Sequence, residues 1–522
     1  MSDTPPVQRA STATPEVSGS DDLAALAKGG RTNTLGFVIR ALGGIPFLFL
    51  GYRLYGVEDM GRFASAFVIV EIVALVCALG EKRGLAQRLS EGADADDREG
   101  EGSSAVNLVF DGMLASLLVS AAICGILLVF PQVMFPNGTN SDADLWMIAA
   151  IPAFALTEIL LAAQAYRYDI ATTVRARAIV EPWTRSIAAV AFFYIAAISE
   201  AGLALAFLAS IYAALATALW SFLRTYGLPK GWRPRPRYLA RMTSRALPLI
   251  GADVIERGTR LLDVFLLGLF TSSAAVGIYF FAQQIASLPQ KLKTSFEPIL
   301  SPVITKNLKT GNYAAIAAQV RQVGFWIVAL QAGIALALGI PGEAVMGLGG
   351  PAIVGGTGAL ALLLAAEVAA SMAVVSEGVL VYIARKRNLA ISIGVIALQG
   401  ALTIGFIKAC DALGLDEGFK AAGAALALVL ALATSSLVKA LVLKTLLKAP
   451  VSNWRWALVH AAAPAVVVGF AFTLLPEWTE LVFGIPAILA VYGFVVWKRG
   501  FDEDDKVIFR RNVTASGDGE TA

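Results

Sequence analysis

The sequence predicts an all-α integral membrane protein with about fourteen transmembrane helices, and three observations carry that prediction. Of the 522 residues, 57% are apolar and 16% are charged, whereas soluble proteins are about 45–50% apolar and about 25% charged. The apolar residues come in runs of roughly 20, the length needed to cross about 30 Å of hydrocarbon. Lys and Arg are concentrated in every second connection between these runs. This pattern excludes a soluble enzyme, a nucleic-acid-binding protein and a disordered protein.

The predicted spans follow one another through most of the chain. They lie at 34–54, 61–81, 104–130, 144–166, 178–199, 202–223, 246–270, 274–296, 315–340, 356–382, 389–410, 421–443, 455–475 and 479–497. If the N-terminus is inside, the outside connections hold only four of the 42 Lys and Arg residues: Arg53, Arg62, Lys408 and Lys420. Because basic connections stay inside, we expect both chain ends to face the cytoplasm.

The spans predict a division of the chain into six segments. These are a disordered cytoplasmic tail (1–27), an N-lobe of six spans (28–223), a basic cytoplasmic linker (224–245), a C-lobe of six spans (246–443), two extra C-terminal spans (444–497) and a cytoplasmic tail (498–522). The first tail is rich in Ser, Thr, Pro and Asp, a composition that cannot bury enough apolar surface to fold.

Few residues could support catalysis or bind a cofactor. The three cysteines, Cys77, Cys124 and Cys410, are far apart in apolar runs, and the one histidine is His460. Neither a disulfide framework nor a metal site can be built from them, and no nucleotide-binding Gly-rich loop is present. The outside connections are short. We therefore expect no metal, no cofactor and no enzyme, with the function located between the helices.

A weak internal repeat relates the two halves. Gly61 follows the first span and Gly277 the seventh, 216 residues later, and each is followed after one residue by an aromatic side chain, Phe63 and Tyr279. Six spans separate the copies, so both run in the same direction through the membrane. Two copies that run in the same direction predict two six-helix lobes related by an axis along the membrane normal.

Several short stretches, taken with the span count, carry a family resemblance. They are Leu26-Ala27-Lys28-Gly29-Gly30, Arg40, Arg53-Leu54-Tyr55-Gly56, Gly61-Arg62-Phe63-Ala64 and Glu71. Over about residues 25–500 the chain resembles the O-antigen and exopolysaccharide flippases, the polysaccharide transporter branch of the multidrug/oligosaccharidyl-lipid/polysaccharide exporter superfamily. The resemblance implies that two rocking lobes move an oligosaccharide on undecaprenyl diphosphate from the inner to the outer leaflet of a bacterial inner membrane. It implies ion- or potential-driven transport, and a polysaccharide polymerase and glycosyltransferases as partners.

Three alternatives remain open. A drug exporter of this superfamily would carry a carboxylate in its first span, where this chain has Arg40. A lipid II flippase shares the fourteen spans. A membrane polymerase or ligase is less favoured, because such an enzyme would usually carry a large outside loop or domain.

The seventh span concentrates intramembrane charge. Its ionisable residues fall within an arc of about 120° on one helix face, and they are Asp253, Glu256, Arg257, Arg260 and Asp263. They could form a self-neutralising ladder of ion pairs at spacings of three and four residues. Alternatively, they could line a wet translocation cavity, where arginines bind diphosphate oxygens in pairs.

Charges on other spans complete the predicted site. Arg40 corresponds to Glu256 at the 216-residue offset. An arginine on one lobe that faces acidic residues on the other could form a gate or bind substrate, with helix packing as the alternative. Glu71 has no partner in its own helix, and we expect Arg40 to be its partner. Glu158, Glu367 and Glu377 read as lone carboxylates in apolar surroundings, where a carboxyl group is easily protonated. They are candidates for proton or ion coupling, or for neutral hydrogen bonding to a neighbouring helix.

Overall fold

The computed structural model describes residues 18–81, 84–86, 88–90, 105–135, 141–229, 231–234, 236–293, 304, 307–308 and 311–501, and its description of side chains begins at Gly43. Within these ranges every regular element is a helix and no strand occurs. The predicted all-α fold class is therefore confirmed.

The helices of ten or more residues follow the predicted spans. They are α1 (Ser18–Cys77), α2 (Ala105–Val129), α3 (Ala150–Tyr166), α4 (Glu181–Phe193), α5 (Gly202–Tyr226), α6 (Pro236–Phe270), α7 (Ser273–Lys293), α8 (Tyr313–Gly339), α9 (Thr357–Ser371), α10 (Val374–Ile383), α11 (Arg385–Ala412), α12 (Glu417–Leu447), α13 (Ala457–Phe472) and α14 (Ile485–Val495). Each predicted span overlaps one of them: α1 covers the first two spans, and α9 and α10 share the tenth.

Nine helices within the described ranges are long and apolar enough to cross a membrane, with Gly43–Cys77 counted as one. Two shorter apolar helices are α10 and α13. This supports a multi-pass membrane protein. The number of crossings, their orientation and the boundaries of the six segments stay predictions.

A single glycine separates the first two spans. Gly56 has φ 85° and ψ 174°, which interrupts α1 and divides it into a first and a second arm. This backbone conformation is readily available only to glycine, because a Cβ would collide with the neighbouring peptide. The predicted outside connection is thus a kink within one long helix.

The repeat glycines contact each other across the two lobes. A Cβ on Gly61 would overlap the carbonyl oxygen of Ser273 and come within 3.0 Å of the backbone nitrogen of Gly277. A Cβ on Gly277 would overlap the carbonyl oxygen of Val57. Residues 57 and 61 correspond to 273 and 277 at the predicted offset, so the two close approaches are equivalent. Such reciprocity is what a pseudo-symmetric relation of the lobes predicts.

A second pair of equivalent contacts lies beside the first. Tyr52 packs edge-on against Phe281 with ring centroids 5.0 Å apart, and Tyr52 donates a hydrogen bond to the Gly277 carbonyl. At the 216-residue offset, Tyr52 corresponds to Gly268 and Phe281 to Ser65. A Cβ on Gly268 would lie 3.4 Å from the side-chain oxygen of Ser65. The lobes are therefore packed tightly at the end predicted to be outside.

Candidate functional site

An ion pair joins the two lobes. Glu71, on the second arm of α1, accepts a hydrogen bond from the guanidinium of Arg257 on α6. Arg257 is a partner that the sequence did not indicate. The Arg40 side chain lies outside the described residues, so its predicted pairing with Glu71 stays a prediction. The other carboxylate oxygen of Glu71, Oε2, is buried and finds no hydrogen-bond partner among the described groups.

The two members of this pair differ in exposure. The Arg257 side chain is 46% exposed, whereas that of Glu71 is 9% exposed. α6 corresponds to the seventh predicted span, and an arginine so exposed in a span is expected to face water, because contact of its charge with lipid is strongly unfavourable. A Cβ added to Gly258, the next residue of α6, would contact nothing within 4 Å. We therefore expect the exposed part of Arg257 to meet water.

The second arginine of α6 is bound from another helix. Arg260 donates to Glu367 on α9, a pair within the C-lobe. Both arginines of α6 therefore bind carboxylates of other helices, and ion pairs along α6 itself stay a prediction. Asp253, on the same helix, is buried. The Glu256 side chain lies outside the part of the chain that is described.

Asp263 belongs to helix packing. It is fully buried and accepts hydrogen bonds from the hydroxyl of Tyr279 and from Gln283 Nε2 (3.2 Å), both on α7. The predicted placement of Asp263 on a cavity-lining face is therefore wrong. The equivalent N-lobe residues, Phe47 and Phe63, make an edge-to-face ring contact with centroids 5.5 Å apart. The same packing position is thus apolar in one lobe and hydrogen-bonded in the other.

The carboxylates expected to be alone all have basic partners. Glu158 pairs with Arg177, and Glu377 pairs with Lys439 Nζ at 3.0 Å; the partner of Glu367 is given above. Lys439 is itself buried. These carboxylates bind cations instead of neutral groups of the next helix.

The N-lobe contains a chain of four charges, of which Arg177 and Glu181 are buried. Arg177 donates to Glu158 and to Glu181 (2.8 Å), and Arg185 donates to Glu181 (3.0 Å). The Arg177 guanidinium also lies 4.2 Å over the Phe154 ring. Sequence reasoning missed Arg177 because it precedes the fifth predicted span. The π-helix Val174–Val180 carries it into the lobe, and the spacing of four residues through positions 177, 181 and 185 was the available signal.

Removal of the Arg177 charge should destabilise the N-lobe. Arg177→Met leaves Glu158 without its cation and Glu181 with Arg185 alone, and breaking a buried ion pair in this way costs about 3–5 kcal/mol. We expect a clearly lower midpoint of thermal unfolding in detergent. Arg175→Met is the matched control, since Arg175 lies on the same π-helix and is exposed. Equal midpoints for the two variants would show that the charge chain contributes nothing to stability.

Comparison with protein families identifies the chain. The family model described as "Polysaccharide biosynthesis protein" matches residues 26–308, more than half of the sequence. The chain belongs to this polysaccharide biosynthesis protein family. The matched region covers α1 to α7 and therefore includes Glu71, Arg257 and the contact between Gly61 and Gly277. No curated protein matches the chain in sequence.

Solved structures similar to this family member share its fold. The lipid II flippase MurJ in an inward closed conformation is similar with a TM-score of 0.64 and 11% identity, covering 90% of this chain and 99% of that one. An inward-facing multidrug resistance MATE family transporter of the MOP superfamily is similar with a TM-score of 0.62 and 15% identity, covering 79% of this chain and 94% of that one. An outward-facing MATE family transporter of that superfamily is similar with a TM-score of 0.54 and 15% identity, covering 81% of this chain and 95% of that one. The chain thus has the MATE- and MurJ-like fold of the MOP superfamily.

The conformation of this polysaccharide biosynthesis family protein agrees with the inward matches. At the predicted outer end the lobes are joined through Gly61 and Gly277, and Arg53 Nε donates to the Leu348 carbonyl at 3.1 Å. A closed outer end is what an inward conformation requires.

Proposed function

We propose that the protein is a flippase that moves a lipid-linked oligosaccharide from the inner to the outer leaflet of a bacterial inner membrane. The oligosaccharide is carried on undecaprenyl diphosphate and serves surface polysaccharide assembly, as O-antigen or exopolysaccharide. One observation carries the proposal: a half-exposed arginine, Arg257, lies at the junction of the lobes and is bound there by Glu71. The planar guanidinium fork binds phosphate oxygens in pairs.

In this mechanism the diphosphate competes with Glu71 for Arg257. The exposed part of Arg257 accepts the phosphate from the cavity, and the carboxylate of Glu71 is released from its cation. The only described ion pair between α1 and α6 is then broken, and the lobes can separate at this point. Arg260 supplies a second positive charge nearby on the same helix, and Arg40 is the proposed N-lobe contribution to the gate.

We propose that transport is driven by an ion gradient or the membrane potential and involves no chemical step of the protein's own. Protonation of Glu158, Glu367 or Glu377 would release the cation that each one binds, which gives a physical route for coupling. A polysaccharide polymerase and glycosyltransferases are the proposed partners. Purified protein that polymerised or ligated a glycan in vitro would contradict this assignment.

Replacement of both α6 arginines tests the proposal in cells. We expect Arg257→Ala/Arg260→Ala, at unchanged protein level, to stop polysaccharide from reaching the cell surface, because the diphosphate loses both of its proposed ligands. Arg233→Ala is the matched control, since Arg233 is exposed on the basic linker and should leave the polymer unchanged. Normal surface polymer in the double variant would contradict the proposal.

Lipid II transport is the second candidate, and one observation favours it. The lipid II flippase MurJ is matched over 99% of its own length, so the likeness extends to the extra C-terminal helices. Expression of the chain in a strain depleted of its lipid II flippase separates the two substrates. A dedicated polysaccharide flippase should fail to restore growth, whereas restored growth would assign lipid II.

A further inference from the structure

The tenth predicted span is broken in the middle. α9 ends at Ser371 and α10 begins at Val374, with Met372 and Ala373 in a turn between them. A break of this kind removes backbone hydrogen bonds at a depth where water is scarce, so protein groups must replace them. The carbonyl groups just before the break are the ones that lose their helical partners.

Side chains bind these carbonyl groups one by one. Ser371 Oγ donates to the Val368 carbonyl at 2.7 Å, and Ser436 Oγ on α12 donates to the Ala369 carbonyl at 2.6 Å. Asn453 Nδ2 donates to the Met372 carbonyl at 3.1 Å. Side chains therefore bind three carbonyl groups at the break, and two of the three donors come from other segments.

The break lies between two ion pairs. Glu367 precedes it by one turn and binds Arg260 on α6, and Glu377 follows it and binds Lys439 on α12. The direction of α9 relative to α10 therefore decides whether Glu367 can reach Arg260. A residue that fixes the break therefore also fixes the position of Glu367, which binds Arg260.

Asn453 connects the break to the C-terminal pair of helices. It lies in the non-helical segment 451–455 that precedes α13, and it packs on α8 where Gly324 has no side chain; a Cβ there would lie 2.7 Å from Asn453 Nδ2. Two residues later, the Arg455 guanidinium lies 4.1 Å over the Phe325 ring and donates to the Gly500 carbonyl beyond α14. One short segment thus joins α8, the break and the end of the last helix.

We propose that Asn453 is a positioning residue, which fixes the break between α9 and α10 and thereby holds Glu367 against Arg260. The two C-terminal helices, α13 and α14, then act on the Glu367–Arg260 pair through the side-chain amide of Asn453. The inference rests on the proposed function for the role it gives to Arg260. The placement of Glu367 by Asn453 can be measured without any substrate.

The test is a double-mutant cycle read by amide hydrogen exchange in the full-length protein. Asn453→Leu keeps the volume and removes the donor, and we expect exchange of the amides of residues 372–377 to become about tenfold faster, as for the loss of one buried hydrogen bond. In a Glu367→Gln background the same acceleration should occur at residues 372–377, because Asn453 binds the Met372 carbonyl in both backgrounds. The amides around residue 367 should respond to Asn453→Leu only where the Glu367–Arg260 pair is present, because the two changes act on the same pair. Faster exchange at 372–377 with no such difference around residue 367, or no acceleration at all, would overturn the proposal.

A control and a second variant keep the test decisive. Tyr492→Phe removes a buried hydroxyl on α14 that has no hydrogen-bond partner among the described groups, and it should leave exchange unchanged. If Asn453→Leu fails to fold, Gly324→Ala displaces Asn453 from the opposite side and should reproduce the faster exchange; normal exchange in that variant would contradict the inference.

Binding of undecaprenyl diphosphate to the wild type and to Asn453→Leu is measured in parallel. We expect binding about tenfold weaker in the variant, as for the loss of one hydrogen bond, and unchanged affinity would overturn the link to the site. Absence of binding by the wild type would instead contradict the proposed function, while the exchange cycle would still decide the role of Asn453.

Discussion

Arg257→Ala is expected to abolish transport and to weaken the binding of undecaprenyl diphosphate by about 10- to 100-fold, the range for losing a hydrogen bond to a charged group. Glu71→Gln should have the opposite effect on binding, because it removes the carboxylate that competes for Arg257. Transport by Glu71→Gln should nevertheless be slow, because the Glu71–Arg257 ion pair that joins the lobes again after substrate release is missing. Binding to purified protein and movement across proteoliposomes are the two measurements.

The different exposure of the two residues predicts their effects on stability. Arg257→Ala leaves a buried carboxylate without a cation, which is strongly unfavourable. Glu71→Gln leaves Arg257, with 46% of its side chain exposed, in contact with water, which costs about 0–1 kcal/mol. Arg257→Ala should therefore lower the midpoint of thermal unfolding more. Equal losses of binding in both variants would show that Glu71 holds Arg257 in place and does not compete with the substrate.

Gly61→Val should stop transport by preventing closure of the outer end. Even the first carbon of the new side chain would overlap the Ser273 carbonyl, and because that carbonyl belongs to the backbone, the two lobes must separate to make room. Gly277→Val should have the same effect, since the Val57 carbonyl lies in the equivalent place. Gly125→Val is the matched control, because a Cβ there meets nothing within 4 Å.

Labelling of Tyr52→Cys with an impermeant maleimide reports the state of the outer end. Tyr52 is buried between the lobes, so a cysteine there should react slowly in a background without the three natural cysteines. The reaction should become several-fold faster with Gly61→Val and stay slow with Gly125→Val. Slow labelling in Gly61→Val would show that the lobe contact tolerates a side chain.

The spans and the repeat could be predicted from the sequence because both depend on local patterns. Apolar runs of the length of a bilayer fix the helices wherever they pack. The 216-residue offset placed Gly61 and Gly277 in equivalent positions, and their contact follows from that symmetry. The break at Met372 and Ala373 could not be foreseen, since neither residue disfavours a helix in the way that proline or glycine does.

The partners of the charged residues could not be predicted, because they depend on which helices become neighbours. A helical wheel placed Asp263 with Arg257 and Arg260, yet α7 packs along that side and supplies Tyr279 as its hydrogen-bond donor. Glu71 seemed closest to Arg40, on its own lobe, but α6 of the other lobe brings Arg257 to it. Glu377 read as a lone carboxylate, but α12 brings Lys439 to it.

Transbilayer movement of an undecaprenyl diphosphate-linked oligosaccharide in proteoliposomes tests the central claim most directly. Glycan that reaches the opposite leaflet becomes accessible to an added glycosidase. The account predicts movement with the wild type and with Gly125→Val, and only the protein-free background with Arg257→Ala. Movement by Arg257→Ala at the wild-type rate, or none by the wild type, would contradict it.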